Sequence, residues 1–167
     1  ALPIYDGNNT VTWRLHVNPL PLPDLVTSAV VAPAQATEGS EIEVRFTVTN
    51  LGSGPTDTDR WTDSVWLTRD KNRPHPSQGD ILLKTVDHYG ALSRKAGYDQ
   101  VVRVSLPQLP MAGVYYVIPW SDPYDVVLED PLASNVTPED PNAYDSSNYR
   151  ARAIPILAAA PALEVQS

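Results

Sequence analysis

The sequence predicts an all-β chain, an antiparallel β-sandwich of about seven or eight strands. Period-two stretches of β-prone residues recur along it, helix-period patterns of useful length are absent, and 17 prolines are scattered between the stretches. Each proline fixes φ and removes a backbone donor, which long helices do not tolerate. An apolar content of 42% still supplies a packed core, and 167 residues suit one domain with extensions.

In residues 10–17, Val11, Trp13, Leu15 and Val17 alternate with Thr10, Thr12, Arg14 and His16, the pattern of a half-buried strand. The alternating prolines up to Pro23 make an extended, semi-rigid connector and place a domain boundary there. A strand over 24–32 and a turn over 33–39 lead to the cleanest strand, 41–50. There Ile42, Val44, Phe46 and Val48 face a core, and Glu41, Glu43, Arg45, Thr47 and Thr49 face water.

A glycine-rich loop over 51–55 precedes a strand over 60–69, with Trp61, Asp63, Val65 and Leu67 on one face and Thr62, Ser64, Trp66 and Thr68 on the other. Residues 70–80 read as a polar turn, 81–86 as a short strand, 90–97 as a basic loop and 98–106 as a strand. Pro107 and Pro110 break the chain before an aromatic strand over 113–120. Residues 126–128 and 148–157 are the last strand candidates, and 158–167 read as a C-terminal linker.

An internal echo complicates the first strand. Asp6 to Asn9 before it resembles Asp145 to Asn148 before the last, and Leu15 then aligns with Ile154 and Val17 with Ile156. Residues 1–18 therefore read as the last strand of a preceding tandem copy or as an added edge strand, 19–23 as a proline-rich linker and 24–157 as the sandwich.

A net charge of −8 repels phosphate backbones and anionic membrane surfaces, so no nucleic acid partner is expected. Without cysteine there are no disulfides, thiol nucleophiles or thiolate metal sites. No apolar run approaches the roughly 20 residues needed to span a bilayer, so no membrane insertion is expected, and the sequence reads as a mature or excised piece.

Chemistry concentrates after the aromatic strand. Asp122, Asp125, Glu129, Asp130, Asp140, Asn142 and Asp145 offer the six to eight oxygens that calcium takes, although their spacing matches no EF-hand or nonapeptide repeat. The competing reading is a solvated loop held by proline and Asx turns. Residues 70–80 begin like a calcium loop but lack the sixth-position glycine and the terminal glutamate, which leaves a turn.

Trp66 alternates with hydroxyl residues on the face expected to be solvated, where an indole can stack on a sugar or a partner surface or be covered by a loop or neighbouring module. Tyr115 or Tyr116 is placed to act as a tyrosine corner. His16, His75 and His88 lie on separate segments, no serine sits in a nucleophile elbow, and no carboxylate pair has a rigid spacing, so no enzyme and no catalytic residue is expected.

Several stretches together resemble the bacterial CARDB modules, the cell-adhesion-related domains of bacteria. They are Pro23-Asp24-Leu25-Val26, Val48-Thr49-Asn50-Leu51-Gly52-Ser53-Gly54, Trp61-Thr62-Asp63-Ser64-Val65-Trp66-Leu67, Gly79-Asp80-Ile81-Leu82-Leu83, the Leu106-Pro107 turn into Gly113-Val114-Tyr115-Tyr116, and Ser147-Asn148-Tyr149. The resemblance implies an immunoglobulin-like sandwich, often in tandem, in large secreted or surface-attached proteins, with no shared catalytic set. The segment from Leu128 to Ser147 is longer than a plain module needs.

The function expected is a non-catalytic extracellular adhesion or spacer module of a repetitive surface or secreted protein, monomeric as excised. Its expected partners are neighbouring modules of the same polypeptide and a glycan or cell-surface protein. The alternative is a module whose acidic loop binds calcium and so orders a glycan- or protein-binding surface.

Overall fold

In the computed structural model, which describes residues 13–18, 20–129, 147–161, 163 and 165, two β-sheets face each other across one core. The strands are β1 (Leu25–Val31), β2 (Ala36–Thr37), β3 (Glu41–Asn50), β4 (Arg60–Thr68), β5 (Ile81–Tyr89), β6 (Gly97–Ser105), β7 (Gly113–Ser121) and β8 (Arg152–Leu157). One sheet has the order β1-β3-β6 and the other β2-β8-β7-β4-β5. All pairings are antiparallel except β2 with β8.

The alternation read from the sequence dictates the core. Ile42, Val44, Phe46 and Val48 of β3 point inward with Val102 and Val104 of β6, against Trp61, Val65 and Leu67 of β4, Tyr115 and Val117 of β7, and Ile154 and Ile156 of β8. Tyr115 is the tyrosine corner: its hydroxyl donates to the Met111 carbonyl at 2.9 Å, and the Arg69 guanidinium lies 4.0 Å over its ring.

Both sheets are stitched at one end by the segment around Asn148. The Thr27 N–H donates to the Ser147 carbonyl, and the Asn148 carbonyl accepts from the Thr27 hydroxyl and the Ser121 N–H at 2.6 and 2.8 Å. Asn50 does the same for the loops. Its amide donates to the Gly54 and Leu92 carbonyls, and its oxygen accepts from the Asp24 and Gly52 N–H groups.

Four expectations change. Residues 13–18 form no strand, and Trp13 and Leu15 are each 84% exposed, because no sheet edge is paired with them. Within the 19–23 connector, Leu22 and Pro23 are docked rather than free: the Leu22 carbonyl accepts from Ser53 and Gly54 N–H groups, and Pro23 is buried. Residues 36–37, expected inside a turn, form β2. Residues 126–128 are not a strand, since side-chain carboxylates rather than a ladder take up their N–H groups. The echo before the first strand, at Asp6 to Asn9, lies outside the described residues.

Candidate functional site

The acidic excursion begins with a tight turn. Asp122 follows β7 at φ 48°, and its carboxylate accepts from the N–H groups of Val126 and Val127 at 3.0 and 2.8 Å. Val127 is thereby driven into the core, while Asp57 accepts from the Leu128 N–H at 3.0 Å. Glu129 then reaches across to β1, where one carboxylate oxygen accepts from the Leu25 N–H at 2.5 Å and the other from the Asn148 amide. Beside it, the Ser147 hydroxyl donates to Asp24 at 3.1 Å.

Burial pushes the Glu129 carboxyl up to about 8. The Leu25 and Asn148 donors oppose the rise, and the nearby charges of Asp24 and Asp122 add to it. Of the seven acidic-loop candidates, Asp122 and Glu129 therefore converge on the end of the sandwich, and Asp24, not among them, joins. Its signal lay in the Pro23-Asp24-Leu25-Val26 stretch. Asp125 instead sits on the outer face of the five-stranded sheet. Asp130, Asp140, Asn142 and Asp145 lie outside the described residues. Among the described residues, no three acidic or histidine side chains are arranged to hold a metal.

Deeper in the same end, Asp63 of β4 is buried between the sheets. The Tyr98 hydroxyl lies 3.0 and 2.8 Å from its two oxygens, Gln100 donates at 3.4 Å, and the Tyr98 oxygen accepts from the Trp61 indole at 3.0 Å. Burial raises the Asp63 carboxyl to about 6 against these donors, and burial followed by the Asp63 charge raises the Tyr98 phenol. His88 stacks on Tyr98 at 3.8 Å and on Trp61 at 4.2 Å, and burial lowers its basicity. This histidine is part of the packing.

The outer face of the five-stranded sheet corrects the reading of Trp66. It is only 9% exposed and packs with Ile118 and Trp120 in a second apolar cluster that Tyr116, Tyr149 and Ala151 extend. The segments 73–76 and 123–125 fold over this face, so the side expected to be wet is largely covered. The Trp66 indole donates to the Ser64 hydroxyl at 2.9 Å.

A depression of 340 Å³ remains beside Trp66 and Trp120, with Arg73, His75, Tyr124 and Asp125 around it. A second, also 340 Å³, lies between Lys71 and Tyr149 to Ala151. Trp120 and Tyr149 meet edge to face at 6.2 Å between them. Among the described residues, the Trp120 indole N–H is the buried side-chain polar group with no acceptor, an arrangement that typically costs about 1–3 kcal/mol.

No family model matches the sequence, and a search of curated proteins returned no match. Among solved structures, the crystal structure of the CARDB domain of a Pyrococcus furiosus protein, in complex with di-metal ions, is similar at a TM-score of 0.53 and 16% identity. The match covers 85% of this chain and 100% of that one. The solution structure of the same domain matches at a TM-score of 0.52 and 16% identity, covering 83% of this chain and 98% of that one. A β-glucosidase from Listeria innocua matches at a TM-score of 0.45 and 11% identity, over 80% of this chain and 16% of that enzyme. The likeness to the CARDB domain is one of fold, an all-β two-sheet architecture.

Proposed function

We propose, from the premise of a CARDB-like sandwich, that the chain is a non-catalytic module of a larger, repetitive bacterial surface or secreted protein. It spaces neighbouring modules and contributes adhesive contacts. The observation that carries this reading is the state of the flanks. Trp13, Leu15, Val17 and Leu20 before the sandwich and Leu163 and Val165 after it are exposed apolar side chains. Such side chains suit segments that pack on the next module of the same polypeptide. His88 is a stacking residue of the interior, and His75 lies on a separate outer loop.

A truncation that starts at Leu20 tests it. It keeps the docked Leu22 and Pro23 and removes Trp13, Leu15 and Val17 of the exposed strip. The melting temperature is expected to stay within about 2 °C of the parent, less than a loss of 1 kcal/mol would produce. Loss of cooperative unfolding in calorimetry would show that the strip belongs to this module and overturn the reading. The chain should elute as a monomer in size-exclusion chromatography.

A second reading, calcium at the acidic end, is favoured by the buried Glu129 carboxyl beside Asp24 and Asp122, where a cation would offset the crowded negative charge. As placed, these three are not arranged to hold a metal, and the oxygens of Glu129 and Asp122 already accept backbone or side-chain donors, so a cation would have to displace those donors. The crystal structure of the P. furiosus domain holds di-metal ions, which adds to this reading. Calcium at about a hundred times its dissociation constant should raise stability by about 2.7 kcal/mol. An unchanged melting curve at millimolar calcium would leave the spacer reading alone.

A further inference from the structure

We infer that the outer face of the five-stranded sheet is a binding site for an acidic glycan, a sugar chain bearing carboxylates. The inference rests on the reading of the chain as a binding module and supplies its ligand class. Two depressions of 340 Å³ lie there, one lined by Trp66, Trp120 and Tyr124 and the other by Tyr149, and Trp120 and Tyr149 meet edge to face. Each falls within the range of small-ligand sites, and the two together suit successive residues of a chain better than a single small molecule. Trp66 and Trp120 are packed beneath, and the exposed ring of Tyr124 offers an apolar face to the C–H face of a pyranose.

The polar groups specify the rest. The Trp120 indole N–H is buried beside this floor without an acceptor, so its resonance reports on a ligand seated above the ring. Lys71 and Arg150 flank the second depression and Arg73 the first, on a chain whose net charge is −8. Distant acidic residues are screened beyond about 8 Å at physiological salt, so this local grouping decides which ligands are held. Asp125 on the same rim opposes a continuous run of phosphates, as in nucleic acid, but can accept from sugar hydroxyls.

The test uses the full chain, kept in a chelator so that calcium plays no part, with alginate oligomers as the acidic probe and mannan oligomers as the neutral one. The alginate oligomers should bind in calorimetry and shift the Trp120 indole N–H resonance, and affinity should fall as salt rises. The double variant Lys71→Ala, Arg150→Ala should lose about tenfold in affinity with an unchanged melting temperature, because both side chains are exposed. Tyr124→Ala, also at an exposed position, should weaken binding in the same way.

Equal binding of the mannan oligomers, full retention by the double variant, or an unmoved Trp120 resonance would overturn the proposal, as would tighter binding of single-stranded nucleic acid or an acidic peptide. Binding of neither glycan would overturn the site alone, because the spacer reading is decided separately by the truncation.

Discussion

Asp63 holds its carboxyl between two sheets, 1% exposed, with the Tyr98 hydroxyl and the Gln100 amide as donors. Its folded-state value near 6 stands above the unfolded value near 3.8, so the native state binds the proton more tightly. The stability this contributes is fully present below pH 3.8 and is lost as pH rises through about 6. The change amounts to about 3 kcal/mol. Glu129 acts in the same direction, its contribution fading from pH 4.5 up through about 8. Asp63→Asn cannot ionise, so its denaturant midpoint should vary less than the parent's between about pH 4 and about pH 7, with the part due to Glu129 remaining. A parallel pH dependence in both proteins would exclude Asp63 as the source. The sequence placed Asp63 on the inward face of its strand but gave no sign of its partners, because Tyr98 and Gln100 arrive from the opposite sheet.

Among the elements, β3 was legible in full, since one face packs and the other meets solvent. Only half of β4 was. Its inner face follows the pattern, but Ser64, Trp66 and Thr68 on the outer face are buried too, under loops that period-two reasoning cannot assign to a face. Residues 126–128 misled for a related reason: three β-prone residues lost their ladder to the carboxylates of Asp122 and Asp57. Asn50 shows an element boundary held by one side chain, with two donors and an oxygen that accepts twice. Asn50→Ala should leave four buried or half-buried backbone groups without these partners and cost about 3 kcal/mol or more, read as a fall in urea midpoint. A loss below about 1 kcal/mol would mean that water replaces the amide.

Across the whole molecule, the two-sheet class and the tyrosine corner could be read from alternation and turn residues, whereas the crossing of β2 into the second sheet could not. Two residues carry no period, and their pairing with β8 joins positions about 120 apart in sequence. The same limit applies to the acidic end, where Asp24, Asp122 and Glu129 meet through tertiary contacts. β2 and β8 run parallel, the Glu38 N–H donates to the Leu157 carbonyl at 2.9 Å, and the Glu38 carboxylate accepts from Leu109 and Ala159 N–H groups.

That geometry would bear load if the chain were pulled from its two ends. Tension that reaches β2 from its leading end and β8 from its trailing end acts along the two strands in opposite directions, so their hydrogen bonds are sheared together rather than unzipped in turn. Forced unfolding follows the barrier, not the equilibrium. Glu38→Ala should therefore lower the rupture force in a pulling experiment while leaving the denaturant midpoint nearly unchanged. Under such tension the pair should part at once rather than bond by bond, as a mechanical clasp does.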